Sequence, residues 1–224
     1  MKIAGSVVKR HNSNMQDSLL PLFPLQMVLL PRTPLPLHIF EDRYKEMFAE
    51  VIRTKSEFGV VQAGEKGIVN TGCSATVEKV LTEYPDGRMD VLALGRRRFE
   101  IMRLNDERAF LRGAVQFFDD DDADPAEREM QIRALEGFAE LQALGGRHIF
   151  GEPKLGDPHL SFQLAQLVED LNFKQLLLAT RSEAERIRQL AGFLPEYALR
   201  QKHVSHMREV GPRNGHSKLK PGNP

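Results

Sequence analysis

The sequence has a single cysteine, no net charge and no long apolar run. Cys73 excludes an internal disulfide and suits a reducing compartment. Lys plus Arg and Asp plus Glu both total 31, so no general attraction to nucleic acid or anionic lipid is indicated. No stretch approaches the roughly 18 apolar residues of a spanning helix, and the order of charges near the amino terminus is not that of a signal peptide. We therefore expect a cytoplasmic protein without a membrane contact.

The motifs of common enzyme chemistries are also missing. The sequence contains no phosphate-binding loop, no G-x-G-x-x-G, no G-x-S-x-G elbow and no H-E-x-x-H. His203 and His206 lie three residues apart but are too few for a zinc site. Cys73 has no paired histidine implied by its position, which disfavours a nucleophilic thiol. The sequence thus predicts no catalytic residue, no cofactor and no metal, and the protein is not expected to be an enzyme.

The first ordered segment is predicted to be extended. Residues 19–40 are very apolar but contain five prolines, which remove backbone donors and exclude a helix. Within this segment Gln26 to Leu30 is predicted to be a strand buried on both faces. Glu41 to Lys55 then has helical periodicity, with one packed face that includes Tyr44 and Phe48.

The next segment has the pattern of a β-sheet, with short strand-like runs separated by turn residues. Strands are predicted at Phe58 to Gln62, Ala75 to Tyr84, Arg88 to Gly95, Phe99 to Leu104 and Phe110 to Phe118. Pro85-Asp86-Gly87 is predicted to turn the second of these into the third as a hairpin. Strands at this spacing indicate a small barrel or sandwich, with the helix as its cap.

Helices are predicted to fill the remainder. Asp119 to Asp122 indicates a solvated linker, and a metal site in this run is disfavoured. Helices are predicted over 125–144, from Asp157-Pro158, over 173–180 and from a capping box at Ser182, with Pro195 kinking or ending the last one. The predicted division is a flexible leader (1–18), a β-rich subdomain (19–118), an acidic linker (119–125), a helical subdomain (126–208) and a disordered tail (209–224).

The strongest basic cluster is Arg96-Arg97-Arg98, predicted to lie in a turn between two strands. It is a candidate site for an anion or for RNA phosphates. The alternative, which the acidic residues elsewhere favour, is a solvated turn with partial salt bridging.

A set of motifs resembles the amino-terminal, substrate-binding domain of Lon proteases. It comprises LPLFPLQMVLLPRTPLPLHIFEDRYKEM (20–47), FGVV (58–61), PDGR (85–88), Gly95-Arg96 with Arg98-Phe99, and KQLLLATRSEAERIRQLAGFL (174–194). The likeness covers about residues 19–200. It implies an α+β fold: a PUA-like β pseudo-barrel with one embedded helix, followed by a C-terminal α-helical bundle. Arg32-Thr33 departs from the family, which often has a Pro-Gly turn there.

The resemblance also implies a function without catalysis, because the ATPase loop and the Ser-Lys pair of Lon have no counterpart here. We expect a stand-alone recognition module for unfolded or extended polypeptides in protein quality control. Such a module acts alone or as an adaptor to an ATP-dependent protease. RNA binding is the rival function, since PUA-like barrels include RNA binders.

Two routes to polypeptide binding follow. An exposed apolar surface of the proline-rich segment is one, with Pro36, Leu37, Phe40 and Tyr44 as candidate contacts. An open edge strand that pairs with an extended peptide is the other. Packing of Phe40 and Tyr44 between the barrel and its helix is the competing, purely structural interpretation.

Overall fold

A computed structural model describes residues 19–65, 67–122, 124–145 and 153–210, with side chains up to residue 207. The predicted leader and the predicted tail from residue 211 onward lie outside the described residues. The strands are β1 (Leu20–Leu25), β2 (Pro34–Ile39), β3 (Phe58–Gly64), β4 (Gly67–Glu83), β5 (Met89–Asn105) and β6 (Arg112–Phe118). The helices are α1 (Asp42–Thr54), α2 (Arg128–Ala143), α3 (Leu160–Leu164), α4 (Leu171–Ala179) and α5 (Glu183–Val210), with a 3-10 turn at Ala165–Leu167.

The sheet closes on itself and leaves β2 outside the closure. Its strand order is β2-β5-β4-β3-β1-β6, and β6 also pairs with β5. The carboxyl-terminal half of β5 pairs with β6, whereas its first residues, Met89 to Leu94, pair with β2. The predicted α+β class is confirmed, with a barrel-like sheet followed by helices.

β5 is one continuous strand, so the prediction of two strands with a turn at Arg96 to Arg98 is wrong. Register shifts in β4 opposite this region bend the strand pair without ending it. Gly95 lies at the bend, where the Leu29-Leu30 segment crosses β5. A Cβ atom at residue 95 would lie 2.3 Å from the carbonyl oxygen of Leu30, which explains why glycine is needed.

Gln26 to Leu30 is not a strand, and that prediction is also wrong. Val28, Leu29 and Leu30 are buried as expected, but they lie in a connection between β1 and β2. The connection is held to β5 instead, because Arg32 N–H donates to the Gly95 carbonyl at 2.9 Å. Arg32 has a left-handed φ of 59°, a conformation that glycine adopts without strain.

The predicted first helix is confirmed as α1, and it packs its apolar face on the barrel. Tyr44, Met47, Phe48 and Val51 are buried on that face. Phe23 of β1 meets the ring of Tyr44 edge-on, with 4.5 Å between ring centroids, and Phe48 meets Phe58 at 4.9 Å. Aromatic packing of this kind fixes α1 against the sheet.

The helical half departs from the prediction in one place. The helix expected from Asp157 is reduced to the five residues of α3 and the 3-10 turn, because Val168 already has an extended backbone. α5 continues past Pro195 to Val210. Of the predicted capping box the N-cap half is present, since Ser182 Oγ accepts the backbone N–H of Glu185 at 3.3 Å, while the Glu185 carboxylate accepts from Arg188 and Gln189. None of the described helices is long and apolar enough to cross a bilayer.

A buried ionic junction joins the two halves of the chain. Asp120 accepts hydrogen bonds from Arg98 of β5 and from both terminal nitrogens of Arg186 of α5, each at 2.6 Å. Arg98 is 5% exposed and Arg186 is fully buried. The prediction that the aspartate run is solvated is therefore wrong for Asp120. Sequence patterns do not indicate its ion pairs, because Arg98 and Arg186 are both distant from it in sequence.

Further contacts complete the junction. Arg186 also donates to Glu183 at 2.7 Å and to Ser161 Oγ at 2.9 Å, and Arg98 donates to the Thr180 carbonyl at 2.6 Å. Burial tends to raise the pKa of Asp120, but hydrogen bonds and charge from Arg186 and Arg98 outweigh it. The pKa of Asp120 therefore lies below its ordinary value.

We expect Asp120→Asn to lower the free energy of unfolding by about 3 kcal/mol at neutral pH, because two buried guanidinium groups lose their shared carboxylate. A carboxyl whose pKa is lower in the folded than in the unfolded protein stabilises the fold at any pH above its ordinary pKa. This stabilisation is lost as the pH falls through the pKa of the folded state. The difference between wild type and variant should thus shrink below about pH 4 in urea titrations.

Asp121→Asn is the matched control, because Asp121 is 72% exposed and lies 3.8 Å from Arg181. It should change stability by less than about 0.5 kcal/mol. Equal effects of the two substitutions would contradict a special role for Asp120.

The contact between α2 and α5 gives a second prediction. A Cβ atom at Gly137 would lie 2.8 Å from Leu194 Cβ and 3.1 Å from the Pro195 nitrogen, whereas nothing lies within 4 Å of one at Gly192. Gly137→Ala should therefore destabilise by about 1–3 kcal/mol through overpacking. Gly192→Ala should stabilise by up to about 1 kcal/mol through helix propensity. Urea unfolding distinguishes the two, and a stabilising Gly137→Ala would contradict the close helix contact.

Candidate functional site

The outer face of β2 and the adjoining part of β5 carries apolar side chains, of which Pro36 and Phe40 are exposed and Pro34, Leu92 and Leu94 are half-buried. Pro34 lies opposite Leu94 and Pro36 opposite Leu92 in the β2–β5 register, so these four share one face of the sheet. Phe40, directly after β2, is 58% exposed and stacks on His38 with 5.9 Å between ring centroids. We call Pro34, Pro36, Phe40, Leu92 and Leu94 the outer-sheet patch.

The four residues predicted to bind polypeptide are divided between surface and core. Pro36 and Phe40 are exposed in the outer-sheet patch. Leu37 is partly buried and packs against the core. Tyr44 is 9% exposed, so its assignment to an exposed surface is wrong, because its ring is enclosed beside Phe23. Alternation along β2 separates these residues: Leu35 and Ile39 are buried, while the even-numbered positions face outward.

Sequence reasoning missed Leu92 and Leu94. The signal was present in Met89 to Leu94, where buried Met89, Val91 and Ala93 alternate with half-buried Asp90, Leu92 and Leu94. Periodicity alone does not say which strand lies opposite, so the pairing with Pro34 and Pro36 required the register.

A polar cluster borders the patch. His38 Nδ1 lies 2.6 Å from Asp90 Oδ1, and the Tyr84 hydroxyl donates to Asp90 Oδ2 at 2.8 Å. Hydrogen bonds from His38 and then Tyr84 lower the pKa of Asp90. His38 is thus a hydrogen-bonded histidine held by a carboxylate. Since a carboxylate holds Nδ1, the imidazole is fixed in orientation beside Phe40.

β2 is also the edge strand of the sheet, but its prolines limit pairing there. Among the described residues it pairs only with β5. Proline has no N–H group to donate, so the backbone nitrogens of Pro34 and Pro36 are expected to point away from β5, toward the open edge of the sheet. That edge therefore offers N–H donors only from His38 onward. A long added strand is disfavoured, and side-chain contacts with the outer-sheet patch are the better-supported route.

The three arginines of the basic cluster do not form a joint cationic surface. Arg96 donates to Glu78 at 2.6 Å, and Arg97 donates to Glu57 at 3.1 Å. Arg97 also lies over the Phe117 ring, 3.7 Å from its centroid. Arg98 belongs to the buried junction with Asp120. Each charge is thus offset locally, and the guanidinium of Arg98 is too buried to meet a phosphate.

Among the described residues we find neither a reactive thiol nor a metal-ligand cluster. Cys73 is fully buried, and burial raises its pKa to about 12, so the thiol stays protonated at neutral pH. Over residues 19–65, 67–122, 124–145 and 153–210 no three His, Cys, Asp or Glu side chains are grouped to hold a metal ion. The outer-sheet patch is therefore the candidate site.

Solved structures share this architecture. The crystal structure of a Lon N-terminal domain protein from Xanthomonas campestris matches with a TM-score of 0.63 and 26% identity, covering 80% of this chain and 99% of that one. The N-terminal domain of a Mycobacterium avium complex Lon protease matches at a TM-score of 0.55 and 19% identity, covering 79% of this chain and 97% of that one. The second likeness shows the fold alone.

Sequence comparisons agree. Lon protease of Parabacteroides distasonis is 32% identical over 121 residues, or 50% of this chain and 15% of the relative. Lon protease of Rhizobium meliloti is 26% identical over 194 residues, or 78% of this chain and 23% of the relative. The chain thus spans less than a quarter of the length of either relative. The model of the ATP-dependent protease La (Lon) substrate-binding domain matches residues 19–196, and the chain belongs to this family.

Proposed function

We propose that the chain binds unfolded or extended segments of client proteins through the outer-sheet patch, as a recognition module in protein quality control without chemistry of its own. The observation that carries this proposal is the partly exposed apolar face formed by β2 and β5, which ends at the exposed ring of Phe40. Exposed apolar groups of this kind are typical of interaction surfaces. Membership of a substrate-binding domain family supports the same function.

The size of the patch suits weak, sequence-tolerant binding. Burial of the exposed part of a phenylalanine contributes about 2 kcal/mol, and the neighbouring prolines and leucines add smaller amounts. Prolines and Phe40 are also stiff, so little conformational entropy is lost when a client covers them. Affinity from several such contacts depends on apolar content more than on sequence, which fits the recognition of many unfolded clients.

We further propose that the module works in the cytoplasm, alone or as an adaptor that delivers clients to an ATP-dependent protease. The relatives of this chain are Lon proteases, and only a small part of each corresponds to it. A buried, protonated Cys73 is compatible with the reducing conditions of that compartment.

RNA binding has less support, because Arg96 and Arg97 are paired with carboxylates and Arg98 is buried. Salt dependence separates the two functions. Binding through phosphates weakens steeply as salt rises, whereas apolar client binding does not.

We expect Phe40→Ser to weaken binding of an unfolded protein about tenfold, because the exposed ring supplies a large share of the patch. Its melting temperature should change little, since the ring contributes little to the core. The measurement is fluorescence anisotropy with a labelled, reduced and alkylated protein, beside a thermal melt of each variant.

Two controls define the outcome. Met102→Ser removes another exposed apolar side chain, 64% exposed, outside the outer-sheet patch, and should leave client binding unchanged. Tyr44→Ser should instead lower the melting temperature, because it opens a cavity beside Phe23. Equal binding by wild type and a folded Phe40→Ser variant would overturn the assignment of the patch.

A further inference from the structure

The second half of β4 is an open edge of the sheet. β3 pairs with β4 only between Gly67 and Ala75, so from Thr76 to Glu83 β4 has β5 on one side and, among the described residues, no strand on the other. No described backbone hydrogen bond outside the strand pairing involves this stretch. It contains no proline, unlike β2, so alternate residues present both an N–H and a carbonyl group at the edge.

A groove of about 420 Å³ lies against the first part of this edge. It is bounded by the last turn of α1 and by residues 76–80 of β4. Ile52 and Val77 are half-buried there and Val80 is 37% exposed, so all three offer apolar atoms to an occupant. An extended peptide can add to such an edge as a further strand, with main-chain hydrogen bonds on one side and side-chain contacts in the groove.

The groove also carries unopposed positive charge. Arg96 donates to Glu78 at 2.6 Å and Thr76 donates to Glu78 at 2.7 Å, so these two charges offset each other. Lys55 and Lys79 line the groove as well, and both are exposed. Neither lysine makes an ion pair with a described side chain. A segment that carries a carboxylate therefore suits the groove better than a neutral or basic one.

The shape of the edge favours a short segment over a second copy of the chain. Register shifts between Val77 and Lys79 and between Val80 and Thr82 bend β4. Bulges and lysines on an edge strand oppose the long pairing that two identical edges would make. A few residues of an extended peptide need only the stretch between two bends.

The edge is continuous with the outer-sheet patch. Leu92 of the patch pairs with Pro36 on one side and with Lys79 on the other, and Leu94 pairs likewise with Pro34 and Thr76. Neighbouring strands lie about 4.8 Å apart, so one client segment can reach both the patch and the edge.

We propose that residues 76–83 of β4 take up a short extended segment of a client polypeptide as an added strand. An apolar side chain of the client lies in the groove against Ile52 and Val80, and a neighbouring aspartate or glutamate lies beside Lys55 and Lys79. The proposal rests on the proposed function and deepens it: clients held at the outer-sheet patch are also bound through their main chain, and segments with acidic residues are preferred.

The first test uses short fluorescein-labelled peptides of one sequence, amidated at the carboxyl end, with one leucine and one glutamate among polar residues. An added strand turns only every other N–H toward its neighbour, so N-methyl groups on alternate amides should divide the peptides into two sets. Methylation of the set that faces β4 should weaken binding about tenfold, and methylation of the other set should change it less than about twofold. Equal effects of the two sets would overturn strand addition.

Amide hydrogen exchange locates the edge that pairs with the peptide. Binding should protect alternate amides between Thr76 and Glu83. Protection confined to His38 and Phe40 would place the added strand at β2 and overturn the proposal.

The double substitution Lys55→Gln with Lys79→Gln tests the charge preference. It should weaken binding of the glutamate peptide about fivefold and leave unchanged a peptide with glutamine at that position. The matched control is Lys154→Gln with Lys202→Gln, which removes the same charge from two exposed positions outside the groove. An equal loss in both variants would overturn the assignment of the two groove lysines.

Failure of this proposal is distinguishable from failure of the proposed function. A protein that binds none of the peptides but still binds an unfolded protein through Phe40 would overturn strand addition alone. The proposed function fails separately, if Phe40→Ser leaves the binding of the unfolded protein unchanged.

Discussion

The arrangement of the molecule depends on the carboxylate of Asp120, which is shared by two buried arginines. Arg98 comes from the strand that pairs with both β2 and β6, and Arg186 comes from the first turns of α5. Two buried guanidinium groups near each other would be strongly unfavourable without that carboxylate. The aspartate therefore fixes where α5 docks on β5, and one hydrophobic core also runs through both halves.

The same strand that enters the junction also sets up the outer-sheet patch. β5 has 17 residues, and after its bend at Gly95 it leaves the pairing with β2 and continues beside β6. Among the described residues β2 is consequently attached to the barrel by β5 alone, with its outer face toward solvent. Prolines on that strand keep the face apolar while they limit pairing at the open edge. Exposure of apolar side chains thus follows from the topology and does not require a loosely packed region.

The sequence indicated the fold well, because its strongest patterns are local. The helical period of α1, the Pro85-Asp86-Gly87 turn and the N-cap at Ser182 each depend on neighbouring residues, and the structure contains all three. The errors arose where contacts between residues distant in sequence determine the structure. Arg98 resembles a surface arginine until Asp120 is known to lie 2.6 Å away, and Gln26 to Leu30 is buried by contacts that no local pattern specifies.

The candidate site was predictable only in part for the same reason. Phe40 and Tyr44 are equally aromatic and four residues apart, yet the first is exposed and the second is buried beside Phe23. Leu92 and Leu94 can be assigned to the site only from their register with Pro36 and Pro34 in the structure. A single sequence gives the alternation of a strand, but the partner strand and the covered face come from tertiary packing.

The most direct test of the account is an amide NMR titration of the protein with a short unfolded client peptide. The account predicts that the largest shift changes fall on His38, Phe40, Leu92 and Leu94. Changes confined to other faces of the barrel or to the exposed end of α5 would contradict the central claim that the outer face of β2 and β5 binds clients.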